Sequence, residues 1–203
     1  MNYLAIDTSG KNLTIILKNG EKTHVFDDGE CGVSHSVELM PRLEKLCSEV
    51  GFDPKDADFF VAVVGAGSFT GIRIGVATVK ALCFAYKKPC LSVTSFDTLA
   101  YNEKGGKVLA VIDAKHDGFY ACGYLDKQVI FSPAYILRDQ LNQIIGEYEK
   151  VVSFSEIDGI EVKVVSVAKG LEQAISEKTD LISDDLNSLE PLYVRKSQAE
   201  EGR

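Results

Sequence analysis

Residues 61–75 read Val61-Ala62-Val63-Val64-Gly65-Ala66-Gly67-Ser68-Phe69-Thr70-Gly71-Ile72-Arg73-Ile74-Gly75. Residues 59–64 are all apolar, and a run of this length is typical of a buried parallel strand. Ser68 follows two glycines and can cap a helix, and an apolar pattern then continues to about Lys87. The segment therefore predicts a buried strand, a tight turn and a long helix, as in α/β proteins.

The glycines of this turn permit positive φ angles and close approach of the backbone. Free N–H groups at a helix start can also bind an anion, so the turn is a candidate anion or nucleotide loop. The candidate residues are Asp7, Gly65, Gly67, Ser68, Thr70, Gly71 and Arg73. The segment is not a P-loop, because no Lys-Ser/Thr pair follows its last loop glycine, and its spacing does not fit the dinucleotide fingerprint. Packing against a neighbouring segment is the commoner use of such a turn, and anion binding is the alternative.

The helix that follows is apolar around most of its circumference between Ile72 and Tyr86, apart from a narrow stripe of Arg73, Lys80 and Lys87. A helix that lies on a sheet needs only one apolar face. The excess predicts an interface with another subunit, shared with the amphipathic helix Ser36–Val50. The residues predicted for it are Val37, Met40, Leu43, Leu46, Ile72, Val76, Val79 and Cys83.

The two halves of the chain begin alike. The first half follows the order βββαβαβα, and its first strand ends in Asp7. The second half also begins with a short apolar strand that ends in an aspartate, Asp113, followed by two meander strands. This pattern indicates a duplicated fold with one lobe over residues 1–103 and a smaller one over 104–203, whose last segment could pack back on the first.

Composition bounds the function. Lys and Arg total 22 against 30 for Asp and Glu, a net charge of −8, so the chain is a poor candidate for binding nucleic acid alone. Its five cysteines (Cys31, Cys47, Cys83, Cys90 and Cys122) form no CxxC pair, which favours a reducing compartment. No signal peptide and no bilayer-length apolar stretch is evident, so we expect a soluble cytoplasmic protein with no membrane contact.

Catalytic patterns are weak. The three histidines lack metal-ligand spacing, and no activated nucleophile or paired carboxylate stands out, so no metal site and no catalytic residue is predicted. Asp7 invites comparison with the metal-linked aspartate of sugar kinases, actin and chaperone ATPases, although a turn-forming role is equally compatible. A nucleotide-binding phosphotransferase that uses Asp7 and residues 65–71 is therefore the alternative function.

Several motifs together resemble one family. Residues 65–75 resemble the hallmark segment of bacterial TsaB (YeaZ) proteins, with Ala66 where those have proline. His35-Ser36-Val37-Glu38-Leu39-Met40-Pro41 is similar to that family's His-Ser-x-x-Leu-x-Pro helix start. Near the C-terminus, Pro191-Leu192-Tyr193-Val194-Arg195 is similar to its Pro-x-Tyr-x-Arg. The resemblance is dense over the first 115 or so residues and thin afterwards.

The resemblance implies an α/β, actin-like (sugar kinase/Hsp70/actin), ribonuclease H-like fold with a complete first lobe and a reduced second lobe. It implies a non-catalytic partner of TsaD, the subunit that holds metal and transfers threonylcarbamoyl to the adenosine beside the tRNA anticodon. The ATPase TsaE would join the complex, and a second copy of the chain could replace TsaD. The resemblance also implies that the chain contacts tRNA only as part of the complex. The chain alone would bind no cofactor, and ATP or ADP, if bound, would lie at an interface of the complex. The chain lacks the histidine pair that TsaD uses for metal, so peptidase activity is not expected.

Overall fold

A computed structural model of the chain describes residues 1–28 and 35–195. The helices are α1 (His35–Val50), α2 (Phe69–Tyr86), α3 (Ser95–Ala100), α4 (Arg138–Ile144) and α5 (Val167–Glu177). The strands are β1 (Tyr3–Asp7), β2 (Leu13–Asn19), β3 (Lys22–Asp28), β4 (Phe59–Val63), β5 (Cys90–Val93), β6 (Lys107–Asp113), β7 (Gly118–Leu125), β8 (Gln128–Leu137), β9 (Lys150–Ser153) and β10 (Lys163–Val164). The described residues form two compact units, one of residues 1–28, 35–94 and 175–192, and one of residues 95–174 and 193–195.

The first unit contains a five-stranded sheet in the order β3-β2-β1-β4-β5. Strands β1, β2 and β3 form an antiparallel meander, and β4 and β5 run parallel to β1. Side chains alternate along a strand, so Leu4 and Ile6 of β1 share one face with Phe60 and Ala62 of β4. Helices α1 and α2 cover that face and complete the apolar core of this unit.

The second unit repeats this topology. Its sheet order is β10-β9-β6-β7-β8, in which β6, β7 and β8 form the meander and β9 and β10 are the parallel strands. Both sheets thus follow the order 3-2-1-4-5, which confirms the predicted duplication and the actin-like, ribonuclease H-like fold class. The second copy is reduced, because residues 154–162 connect β9 to β10 without a helix and β10 is two residues long.

The structure places the unit boundary at 94/95 rather than at the predicted 103/104. Helix α3 belongs to the second unit because it packs on β6, β7 and β9, with Phe96 and Leu99 fully buried. Residues 175–192 belong instead to the first unit, where Cys90 and Ser183 exchange two backbone hydrogen bonds of 2.8 and 2.9 Å. No run of glycine or proline marks the 94/95 transition, whereas Gly105-Gly106, which suggested the boundary at 103/104, lies inside the second unit.

The described cysteines, Cys47, Cys83, Cys90 and Cys122, are buried and form no disulfide with one another, and Cys31 lies outside the described residues. Contrary to the expectation from sequence, one helix in the described part of the chain, α2, is long and apolar enough to cross a membrane by length and composition. A core helix of a soluble protein passes the same test, and 33% of this helix is buried inside the structure. One such helix is weak support for a membrane span.

Candidate functional site

The glycine-rich turn packs against the turn that follows β1. Gly67 has a φ of +153°, and a Cβ atom there would overlap the carbonyl oxygen of Ser9. A Cβ at Gly71 would likewise overlap the carbonyl oxygen of Thr8. The Ser68 N–H donates to the Ser9 carbonyl at 2.7 Å. These glycines therefore allow two backbone segments to approach more closely than any side chain would permit.

The first turn of α2 uses its own hydrogen-bond donors. Ser68 is the N-cap, and its Oγ accepts from the Gly71 N–H at 3.1 Å. The Ile72 N–H donates to the Ser68 carbonyl at 2.9 Å. With the Ser68 N–H bound to Ser9, three donors near the candidate anion loop are satisfied by protein oxygens. The geometry thus favours packing over anion binding for this turn, and a nucleotide at this loop stays a prediction.

Asp7 lies next to this junction and is 3% exposed. Its Oδ1 accepts from the Ser9 N–H at 2.8 Å and from the Ser9 Oγ at 2.7 Å. Burial raises the pKa of the Asp7 carboxyl, while the Ser9 hydrogen bonds and the charge of His35 act in the opposite direction. The Asp7 side chain therefore accepts two hydrogen bonds within its own turn, which is the turn-forming role that the sequence left open.

The remaining loop candidates lie at the surface. Thr70 is exposed, and Arg73 is exposed with its guanidinium carbon 3.8 Å from the ring centroid of Phe69. Among the described residues no group of three or more His, Cys, Asp or Glu could hold a metal ion.

Most of the predicted interface residues are wrong. Leu43, Leu46, Ile72, Val76, Val79 and Cys83 are at most 9% exposed and belong to the core of the first unit. They cannot contact another subunit, because α1 packs on β2 and β3 and α2 packs on β4 and β1. Apolar periodicity alone does not orient α2, since its apolar residues nearly surround the axis apart from the narrow charged stripe of Arg73 and Lys80.

Apolar side chains are nevertheless exposed on the outer sides of the same two helices. On α1 they are Val37 (59% exposed) and Met40 (43%), the two residues of the prediction that remain accessible. On α2 they are Ala77, Ala81 and Phe84, and Phe84 is 81% exposed. We call these five residues the docking face.

A signal for Ala77, Ala81 and Phe84 was present in the sequence but was not used. Arg73 and Lys80 mark the side of α2 that faces water, and Ala77 and Phe84 each follow one of them by four residues. The charged stripe therefore marks the outer side of α2, whereas the predicted interface residues Val76, Val79 and Cys83 lie on its inner side.

The family model described as TsaD, tRNA N6-adenosine threonylcarbamoyltransferase, matches residues 30–147. The tRNA threonylcarbamoyladenosine biosynthesis protein TsaB of Bacillus subtilis (strain 168) is 32% identical over 161 residues, which cover 76% of this chain and 70% of that relative. The chain belongs to the TsaB family. The protein of the same name from Escherichia coli (strain K12) is 26% identical over 165 residues, 74% of this chain and 71% of the relative. The match to TsaD agrees with the relatedness of TsaB and TsaD.

Solved structures agree on the fold of the TsaB family. A crystal structure of an uncharacterized protein with similarity to peptidase YEAZ from Pseudomonas aeruginosa superposes with a TM-score of 0.78 and 20% identity, covering 96% of this chain and 99% of the other. A structure of YeaZ from Pseudomonas aeruginosa gives a TM-score of 0.74 at 20% identity, covering 95% and 99%. The family resemblance seen in the sequence is thereby confirmed, and the TsaB hallmark segment is the close junction between β1 and α2.

Proposed function

We propose that this chain is a non-catalytic partner subunit of TsaD, required for threonylcarbamoyl transfer to the adenosine beside the anticodon of tRNA. Membership of the TsaB family supports a role in threonylcarbamoyladenosine synthesis, because its relatives carry that name. The observation that carries the partner role is the docking face, which leaves a large aromatic and two further large apolar side chains exposed on adjacent helices.

The docking face has the properties of a protein–protein contact. Phe84 is the aromatic anchor, the kind of residue that contributes most to binding when a partner encloses it. Ala77 and Ala81 are short, so a helix of the partner can approach α2 closely. Exposed Arg73 and half-buried Lys80 lie on the same side of α2 and favour an acidic rim on the partner.

A structural rather than catalytic role accords with the junction around Asp7. In a phosphotransferase this aspartate and the glycine loop would have to bind a nucleotide and its metal ion. Here the Asp7 carboxylate is bound by Ser9, and the loop donors of Ser68 and Gly71 are bound by protein oxygens. We therefore propose that TsaD supplies the chemistry, and that ATP or ADP, where it takes part, binds at an interface of the complex.

The remaining partners follow from the same role. The net charge of −8 favours contact with tRNA through the complex rather than through this chain alone. In this proposal TsaE joins the complex, and two copies of the chain pair through the same docking face when TsaD is absent. The site of action is the cytoplasm, where tRNA is modified.

The experiment is a mass measurement by light scattering after mixing the chain with purified TsaD. We expect a heterodimer with the wild-type chain and loss of association for Ala81→Glu and Phe84→Glu, because each places a charge in the docking face. Val129→Glu is the matched control, since Val129 is 52% exposed on β8 and lies outside the docking face. If wild-type protein and TsaD remain separate, or if Phe84→Glu still associates normally, the partner role is wrong.

A further inference from the structure

The end of the first unit is an irregular segment beside the edge strand β5, with one 3-10 turn at Leu186–Ser188. We call residues 183–192 the strap. At its start, Cys90 and Ser183 exchange two backbone hydrogen bonds, and the Cys90 thiol donates to the Ser183 carbonyl at 3.4 Å. The same thiol lies 3.3 Å from the hydroxyl of Ser188. At its end, the Leu192 N–H donates to the Val64 carbonyl at 2.7 Å. Both ends of the strap are thus tied to neighbouring strands of the first sheet.

These two contact points flank α2 in the chain. Val64 and Gly65 lead into the helix, and the Leu192 carbonyl oxygen lies only 2.8 Å from where a Cβ of Gly65 would be. At the other end, the thiol of Cys83 in the last turn donates to the carbonyl of Pro89, the residue before Cys90. The strap therefore contacts the chain shortly before and shortly after α2.

The middle of the strap enters the core beneath the same helix. Leu189 is fully buried in the cluster that contains Ile72, Val76 and Cys83 of α2. Leu186 packs against that cluster as a partly buried neighbour. Contacts at both ends and in the middle restrict how α2 can shift or rotate on the sheet.

The glycines before α2 add little rigidity of their own, so the strap adds to the hold that the turn after β1 gives to the first turn of the helix. Gly65 and Gly67 both have positive φ angles, which glycine adopts without steric cost. The backbone of a glycine is less restricted than that of any other residue, so these two positions do not by themselves fix the direction of α2. The outward side of α2 can meet a partner reproducibly only if the helix holds one orientation.

We infer that the strap is a positioning element that fixes α2 and thereby orients the docking face, although it contributes none of the five residues of that face. The inference rests on the proposed function for its consequence in binding, but its structural part concerns α2 alone.

The experiment compares two leucine truncations in the full-length chain. Leu189→Ala removes a fully buried side chain of the strap, and Leu181→Ala removes one that is 57% exposed just before it. Hydrogen exchange followed by mass spectrometry reports the protection of α2, α1 and β1 separately. We expect exchange in α2 to accelerate about tenfold or more relative to α1 and β1 in Leu189→Ala, with no change in Leu181→Ala. Affinity for TsaD should fall about tenfold in the same variant.

A second variant covers the case in which Leu189→Ala does not fold. Leu192→Pro removes the amide that donates to Val64 and shortens a side chain that is only partly buried against the core, so faster exchange is expected in the first turn of α2. Uniform acceleration across the first unit, or unchanged exchange in α2, overturns the inference. So does wild-type affinity for TsaD in a variant whose α2 exchange has risen. If the wild-type chain itself does not bind TsaD, the proposed function fails, and the exchange measurement alone decides the role of the strap.

Discussion

Thr8 and Gly71 are joined by a buried hydrogen bond in which the Thr8 hydroxyl donates to the Gly71 carbonyl oxygen at 2.7 Å. The carbonyl of Thr8 in turn occupies the position where a side chain on Gly71 would lie. The turn after β1 therefore packs directly against the first turn of α2. In an actin-like kinase the corresponding turn would be compared with a phosphate hairpin. Residues 65–75, the most specific motif of the sequence, therefore hold the first turn of α2 against the turn after β1.

Gly71→Ala should disrupt this seat. The new methyl group would overlap the backbone of Thr8, which is not the far end of a flexible side chain and cannot move away cheaply. We expect a loss of about 1–3 kcal/mol in the free energy of unfolding, as for other overpacked sites. Urea unfolding followed by circular dichroism measures it as a lower midpoint.

Gly10→Ala is the matched control within the same turn. The nearest heavy atom to its added Cβ is the Asn12 nitrogen at 4.0 Å, so the change should stay within about 0.5 kcal/mol. Equal effects of the two substitutions would show that the close approach of Thr8 and Gly71 does not limit stability.

The local elements and the topology were largely predictable. The strand Phe59–Val63, the Ser68 cap and helix α2 lie where hydrophobic pattern and turn chemistry indicated. The repeat of a strand ending in aspartate followed by a meander predicted two sheets of equal topology. These features could be predicted because each depends on residues that are neighbours in sequence.

The outward face of α2 and the boundaries of the units could not be predicted in the same way. Nearly uniform apolarity leaves the narrow stripe of Arg73 and Lys80 as the sequence signal for the side of α2 that faces away from the sheet, and close-packed positions such as Gly75 reveal the inner side in three dimensions. The return of Leu189 to the first unit depends on a contact with residues more than 100 positions earlier, which leaves no local trace.

Substitutions on opposite sides of α2 should separate folding from assembly. Val79→Asp places a charge at a fully buried core position and should unfold the first unit, because an unpaired buried charge costs several kcal/mol. Ala77→Asp, on the exposed side, should keep the circular dichroism spectrum of the wild type and lose TsaD binding. Normal folding of Val79→Asp would contradict the orientation of α2 described above.

The pKa of Asp7 leads to a prediction about pH. Because burial raises this pKa in the folded protein above the unfolded value of 3.8, the folded state holds the proton more tightly. The contribution of Asp7 to stability is therefore largest below pH 3.8 and is lost as the pH rises through the folded pKa. Asp7→Asn keeps an acceptor for Ser9 without a buried charge, so it should unfold at a higher urea concentration than wild type at pH 7. The difference should shrink towards pH 4, and a lower midpoint at pH 7 would refute this account.

Glu103 of the second unit should behave in the opposite way. Burial alone would raise the pKa of its carboxyl, but hydrogen bonds from Lys150 and Lys163 outweigh it and lower the pKa. Stability from this ionised group is present above the unfolded pKa of 4.5 and disappears as the pH falls through the folded value. Glu103→Gln should lose about 1–2 kcal/mol at pH 7, since both lysines are partly exposed, and little at low pH.

The control for Glu103 is Glu147→Gln. Glu147 is 64% exposed and pairs with Lys107 at 3.6 Å, so its loss should change the unfolding midpoint negligibly at any pH. A Glu103→Gln variant that kept the acid sensitivity of the wild type would assign that sensitivity to another carboxyl.

Cys83 provides a chemical probe of the seating of α2. It is 2% exposed, and burial together with the neighbouring Cys90 thiol raises the pKa of Cys83 to about 12. At pH 8 only roughly one thiol in ten thousand is then ionised, and the thiolate is the form that iodoacetamide alkylates. Peptide mapping by mass spectrometry should find Cys83 unmodified in native buffer and fully modified in urea.

In the Leu189→Ala variant Cys83 should be alkylated faster than in wild type, because a loosened strap lets the last turn of α2 open. In Leu181→Ala the rate should not change. Rapid labelling of Cys83 in the native wild-type chain would mean that this turn opens without any change in the strap.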